Sequence, residues 1–386
     1  MKTNKYDIII AGGGLSGLSL AWYLLKGGYK GEVLIVDSTF APGNTKTWAF
    51  WFKGKPPFNE IVYKTWRKTF FSSQGYDSFL YMNEYSYHCI RESDFKEHIL
   101  TEIKKKPNFH LLEEGILDVS SNKKKAVLIT KSSDSYIADY IFQSIFKPPL
   151  FKKKDLKYPL IQHFYGIEIK TRDPIFDSGT FTIMDFDESF TEAPAFMYVL
   201  PFREDKALLE FTVFSKKTLK KKEYRKKIKA YLFEKFGLQK EDYKIKRREY
   251  GEIPMDDRPY IPFYKNKILN IGTVGGLTKP STGYTFTRVQ EYSKKLAQSI
   301  IDGKEPVLPT KSKARYRYYD LLLLHVLSSS TEESLNVFKD LFQKHSIDTI
   351  FDFLSEETNV IQDFKIMNSV KASPFLKAIV KNIKND

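Results

Sequence analysis

The sequence predicts an α/β fold: a Rossmann-like dinucleotide-binding domain built from discontinuous pieces, an antiparallel-sheet substrate domain and a helical C-terminal region. Three observations predict it. A glycine-rich turn separates a buried-strand pattern from an apolar helix within residues 6–25. A second strand, glycine loop and helix start recurs within residues 267–292. Between them, residues 155–250 carry strand patterns of period two. The expected division is 1–60, 90–150 and 250–310 for the nucleotide-binding domain, 61–89 and 151–249 for the substrate domain, and 311–386 for the helical region.

Composition supports this scale. The chain has 386 residues, 42% of them hydrophobic, which suits two or three domains with real cores. Its single cysteine, Cys89, excludes an internal disulfide and any C-x-x-C metal or redox site. The six histidines include no pair at helical ligand spacing, so no metal site is expected. No run of 18 apolar residues occurs, and no transmembrane helix is expected. The N-terminus runs straight into a strand pattern without the marks of a signal peptide, so a cytoplasmic location is expected.

Residues 6–11 read as a short buried strand, Tyr-Asp-Ile-Ile-Ile-Ala. Gly12-Gly13-Gly14-Leu15-Ser16-Gly17 follows, then the apolar helix pattern 18–25 and a second strand, 33–36, ending in Asp37. This order is a dinucleotide fingerprint. Gly12 permits the tight turn, Gly14 lets backbone N–H groups approach a pyrophosphate, and Gly17 lets helix and strand pack closely. Leu15 and Ser16 open the helix, whose N-terminal dipole end faces the phosphates. Asp37 is placed to accept from ribose hydroxyls. By analogy at the level of fold, a fingerprint at the start of the chain favours resident FAD over diffusing NAD.

The second cluster runs from the strand pattern at 267–271 into Gly272, Gly275 and Gly276, then Pro280-Ser281-Thr282-Gly283-Tyr284 and a helix from Thr285 towards Gly303. Two such elements suit a long cofactor held at both ends. Gly272, Gly275, Gly276, Thr282, Gly283 and Tyr284 are therefore expected beside the isoalloxazine ring.

In the middle segment, residues 160–169, 180–187, 196–202 and 207–214 form an expected antiparallel sheet, with Leu208, Glu210, Thr212 and Phe214 on one face. Glu210 interrupts an apolar strand. It either points to water or lies in an apolar pocket, where burial would keep it protonated. Asp185, between Met184 and Phe186, poses the same question. His163 is expected to be a hydrogen-bonded structural residue, and Glu252 a loop or turn carboxylate. The 31 Phe and 24 Tyr suffice to line a large apolar cavity besides filling cores.

The net charge is +15 and comes in runs, among them Lys104–Lys106, Lys123–Lys125, Lys152–Lys154, Lys220–Lys222 and the segment Lys244–Arg248. These are solvated faces or an attraction to an anionic surface. No nucleic-acid motif accompanies them, so lipid headgroups are the expected partner of the two and nucleic acid is not.

The chain resembles the lycopene β-cyclases over nearly its full length. The matching blocks are the N-terminal G-x-G-x-x-G, Thr47–Trp51, Gln162–Gly166, Met184–Phe186, Tyr198–Phe202 with Leu208–Glu210, Gly251–Met255, Gly275-Gly276 with Pro280–Phe286, and the tail segments 319–323 and 353–355. The resemblance implies FAD in its reduced form, NADPH as reductant and lycopene as substrate. It implies an isomerisation without net redox change, with Glu210 as general acid or cation stabiliser and Asp185 as the second candidate. A lipid-resident substrate implies a cytoplasmic enzyme that docks peripherally on an anionic membrane. The chain departs from the family at residues 140–146, where an aspartate–arginine type sequence is usual. The alternative is a redox FAD enzyme, a hydroxylase or prenyl reductase; Gly272-Thr273 stands where such enzymes usually have Gly-Asp.

Overall fold

The computed structural model describes residues 4–41, 43, 46–147, 152, 155–310 and 312–383. Lys153 and Lys154, part of one basic run, lie outside them.

Two large sheets organise the chain. The first has eight strands, in the order Phe263–Lys265, Ile268–Asn270, Ser135–Gln143, Asn4–Ala11, Val33–Asp37, Phe109–Glu113, with Ala126–Thr130 and Ile116–Ser121 branching from Ser135–Gln143. Asn4–Ala11 lies parallel to both of its neighbours. Its continuous apolar run follows from burial on both faces. Ile8 and Ile10 pack with Val33 and Ile35 under the helices Leu15–Lys26, Glu92–Ile103 and Phe286–Ile301. Ile9 and Ala11 pack with Leu34 and Val36 against Val119 and Leu128 on the other side. The helices that follow the two glycine turns lie side by side, joined by a hydrogen bond from Gln290 Nε2 to Ser19 Oγ (2.9 Å).

The second sheet has seven strands, in the order Tyr243–Met255, Leu160–Thr171, Lys206–Ser215, Ala195–Arg203, Thr180–Phe186, Lys68–Ser73, Tyr76–Tyr81. One face packs Leu209, Phe211 and Val213 against Tyr224, Ile228 and Leu232 of the helix Lys221–Phe236. The opposite face carries Leu208 and Phe214 towards Phe338, Phe342 and Phe351 of the C-terminal helices Thr331–Lys344 and Ile347–Leu354. The period-two alternation along Lys206–Ser215 is therefore the one expected. Leu322 and Leu324, from the leucine stripe of the helix Ala314–Ser329, are buried. A third sheet joins Thr47–Lys53, Tyr85–Arg91 and Lys64–Trp66.

The second sheet is wider than its sequence pattern suggests. Residues 251–252, expected in a loop, belong to the strand Tyr243–Met255, which pairs along the whole of Leu160–Thr171. Charge conceals this strand: Arg247 and Glu249 are buried at alternate positions while Lys244, Lys246, Arg248 and Tyr250 are exposed. The basic run Lys244–Arg248 is thus not a uniformly solvated face.

The C-terminal helices are tied to this sheet by rings. Phe71 is fully buried and stacks on Phe342 at 4.0 Å between centroids. Phe71→Ala is expected to cost about 3–5 kcal/mol of stability, read as a lower denaturant midpoint at unchanged slope; a loss under about 1 kcal/mol would mean that these helices do not lean on the sheet.

Candidate active site

The first glycine turn is shaped by sterics. Gly12 adopts φ +113°, and a Cβ on Gly17 would overlap the Gly12 carbonyl oxygen, so helix and strand close up only without one. A Cβ on Gly14 would instead project into open space. Asp37, at the end of its strand, accepts a hydrogen bond from the Gly13 N–H at 2.5 Å.

A cavity of about 760 Å³ begins at Gly14, Leu15 and Ser16 and extends between the second sheet and the C-terminal helices, as far as Val370 and Phe375. Thr282, Gly283, Tyr284 and Thr285 line it at the start of the helix Phe286–Ile301, which has no side-chain cap. Thr282 Oγ1 and, beside Gly283, Gln162 Oε1 are buried without a hydrogen-bond partner in the protein. Gly272, Gly275 and Gly276 do not line the cavity. They build the turn beneath it: Gly272 (φ +66°) abuts Ser16, and a Cβ on Gly275 would strike the Asn270 carbonyl.

Glu210 faces this cavity with Tyr198, Thr212 and Phe214. In register, Gly166 of the central strand lies between Glu210 on one neighbouring strand and Glu249 on the other. A Cβ on Gly166 would sit 2.9 Å from Glu210 Cγ and 3.2 Å from Glu249 Cγ, so both side chains fold over the glycine. Burial pushes both carboxyls up, Glu210 well above the usual range, with the charge of Glu249 raising Glu210 further. The Arg247 guanidinium opposes the rise at Glu249.

Glu249 heads a buried ion network. Arg247 Nη1 donates to Glu249 Oε2 at 3.0 Å, Nε to Glu168 Oε2 at 3.1 Å, and Nη2 to Thr47 Oγ1 at 2.7 Å. Glu168 also receives Arg91 at 3.0 Å and Lys206 at 2.8 Å. A buried arginine with this many partners needs each of them, since an uncompensated buried charge is costly.

Aromatic groups enclose Glu210. Tyr198 stands beside it in register. The Tyr198 hydroxyl lies 2.9 Å from that of Tyr87, which lies 3.5 Å from that of Tyr284. Trp51 packs edge-on to Tyr284 at 4.0 Å.

Asp185 is not part of this arrangement. It pairs with Met197, one residue out of phase with Tyr198, and so points to the other face of the sheet. There it accepts from Tyr231 Oη at 2.8 Å and meets Lys235 Nζ at 3.3 Å. The sheet lies between Asp185 and the cavity, so the structure does not bring this second candidate together with Glu210. His163 is structural as expected: burial lowers it to about 4, and it bonds Tyr224 at 2.6 Å and Ser215 at 2.8 Å. Glu252 lines the cavity and accepts from Tyr250 Oη at 2.6 Å. Glu249 and Gly166 escape sequence reasoning. The one available signal is the alternation Arg247-x-Glu249, which fits a strand with one buried charged face.

Over its whole length the chain has the fold of flavin-dependent oxidoreductases and halogenases. A geranylgeranyl bacteriochlorophyll reductase-like protein of Thermoplasma acidophilum superposes with a TM-score of 0.69 at 15% identity, covering 99% of both chains. A flavoprotein/dehydrogenase of Cytophaga hutchinsonii does so with a TM-score of 0.61 at 13% identity, covering 99% of this chain and 100% of that one. Within this fold the chain belongs to the lycopene cyclase family, described as Lycopene cyclase protein, which matches residues 7–379. A chloroplastic lycopene beta cyclase of Nicotiana tabacum is 23% identical over 312 residues, covering 76% of this chain and 60% of that protein.

The raised Glu210 carboxyl has a stability consequence. A carboxyl whose folded-state pKa exceeds its unfolded value supports folding at low pH and ceases to as pH rises. Glu210→Gln is therefore expected to be more stable than the natural protein at alkaline pH, with the gain growing from the ordinary carboxyl range up to the folded-state value. Denaturant unfolding across pH checks this; a gain independent of pH would contradict the burial argument.

Proposed function

We propose that this chain is a lycopene β-cyclase: an FAD enzyme that closes the ψ ends of lycopene into β-ionone rings without net redox change. The observation that carries the reading is Glu210, a carboxyl buried beside a carboxylate in an aromatic cavity continuous with the glycine turn.

The residues present fit FAD. The open side of Gly14, the free helix start at Leu15 and Ser16, and the bend at Gly12 and Gly17 suit a pyrophosphate. Asp37 suits the ribose. Thr282 Oγ1 and Gln162 Oε1, buried and unpartnered, are polar groups that a ring edge at Gly283 and Tyr284 would satisfy. Gly272, Gly275 and Gly276 would support that end from below. Bound in reduced form, with NADPH as the proposed reductant, FAD supplies negative charge beside a carbocation and gains no electrons overall.

The chain's own residues carry the chemistry. Glu210 gives its proton to C2 of a ψ end, leaving a cation at C1. The C5=C6 double bond attacks C1, the charge moves to C5, and loss of a C6 proton completes the ring, so substrate and product are isomers. The faces of Tyr198, Tyr87 and Trp51 attract the cation through their ring quadrupoles. The reaction also requires that bound substrate exclude water from the cavity, since water would trap the cation as an alcohol.

The reading includes peripheral contact with an anionic membrane. No described helix is long and apolar enough to cross a bilayer. The helix Lys221–Phe236 is lysine-rich, and Val360, Ile361 and Phe364 are exposed on the helix Val360–Ser369, whose inner residues Ile366 and Met367 line the cavity.

Two variants separate the roles. With lycopene in vesicles and reduced cofactor, Glu210→Ala is expected to retain FAD and lose at least about 100-fold in cyclisation, the order expected of a general acid; wild-type turnover would remove Glu210 from the mechanism. Gly14→Val is expected to fold and to lose FAD, measured as flavin absorbance per protein; a full flavin complement would mean that the phosphates lie elsewhere.

A further inference from the structure

We infer that Glu249 is the proton partner of Glu210: the two carboxyls share one proton across the gap at Gly166, and Arg247 keeps the charge on the Glu249 side. The inference rests on the reading of Glu210 as the acid.

Three features carry it. Neighbouring strands lie about 4.8 Å apart, so the backbones of Glu210 and Glu249 are about 10 Å apart with the central strand between them. Their side chains meet only because Gly166 has no side chain: its Cβ would lie 3.0 Å from Glu210 Oε1, besides the approaches to both Cγ atoms. Second, two buried carboxyls this close cannot both be ionised at little cost, so one holds a proton. Third, the network is asymmetric. Arg247 donates to both oxygens of Glu249, at 3.0 and 3.4 Å, while no cation among the described residues is hydrogen-bonded to Glu210. Both carboxyls line the cavity, and the proton therefore resides on Glu210, the member paired with Tyr198.

The surrounding charges fit a donor that must be recharged. Arg91, Lys206 and Arg247 outnumber Glu168 and Glu249 by one positive charge, so the buried network is neutral once Glu210 has given up its proton. The groups behind Tyr198 are the tyrosines Tyr87 and Tyr284. Across the cavity Lys279 meets both Asp320 and Glu356 at 3.0 Å, and Arg288 meets Glu356 at 3.3 Å, so these two cations and two carboxylates balance each other. Protonation of C2 leaves the pair without a proton, and the proton lost from C6 restores it, so the pair ends each ring closure as it began. Arg247 and Glu168 are positioning residues in this scheme.

The test is an infrared titration of the FAD-loaded enzyme, following the carbonyl stretch of a buried protonated carboxyl. The natural protein is expected to show such a band at neutral pH, and Glu210→Gln to lose it. In Glu249→Gln, which keeps the side-chain volume, the band is expected to titrate about one pH unit or more lower, because a like charge is gone and Arg247 is left free to act on Glu210. Gly166→Ala, which forces the carboxyls apart, is expected to shift it in the same direction. No band in the natural protein, or an unmoved or alkaline-shifted midpoint in an FAD-loaded Glu249→Gln or Gly166→Ala variant, would overturn the inference. The band does not depend on lycopene turnover, so a protein that titrates as stated yet leaves lycopene unchanged would count against the substrate reading alone.

Discussion

The burial of one carboxyl beside another constrains the rest of this structure. Glu210 and Glu249 share a water-poor site on the cavity face of the second sheet, and burial raises both. A pair of this kind is stable only with a fixed cation nearby and a fixed geometry between its members. Arg247 is that cation, held in turn by Glu168 and Thr47. Gly166 sets the geometry. Pairing of Leu160–Thr171 with a strand on each side places the three positions in one row, so a shift of register on either side would break the site.

The two sheets divide the work. The first presents a glycine turn and, by parallel pairing of Asn4–Ala11 with Ser135–Gln143 and of that strand with Ile268–Asn270, brings the distant second turn next to it. Gly272 abutting Ser16 is where these turns meet. The second sheet holds the acid pair and aromatic wall. The C-terminal helices close the far side of the same cavity and contribute Phe338, Phe351 and Met367 to its lining. A largely apolar, aromatic volume reaching from a phosphate-type turn to a buried acid suits an apolar substrate that passes through a cation.

Much of this was legible in the sequence wherever local chemistry and fold agree. The fingerprint at Gly12–Gly17 is local, and its strand, turn and helix are all present. The alternation in residues 207–214 correctly set Glu210 on the face opposite Leu209 and Phe211. What was not legible depends on pairing between distant strands. Asp185 looked equivalent to Glu210 because both are acids in apolar strands, yet a bulge in its pairing and the phase of its neighbour turn it to the Lys221–Phe236 side. Glu249 was hidden in a run of charges that read as surface, since nothing local tells that Arg247 finds Glu168 on the next strand. Gly166 carries no positive φ to mark it; its meaning lies wholly in its two neighbours across the sheet.

An acid-started ring closure without net redox change leaves the mass of the product equal to that of its substrate, so product mass is the most direct test. In cells that accumulate lycopene, expression of this chain is predicted to convert the pigment to γ- or β-carotene, with changed chromatographic mobility and unchanged mass. A product heavier by two hydrogens or by an oxygen would contradict an acid-started cyclisation and point to a redox flavoenzyme.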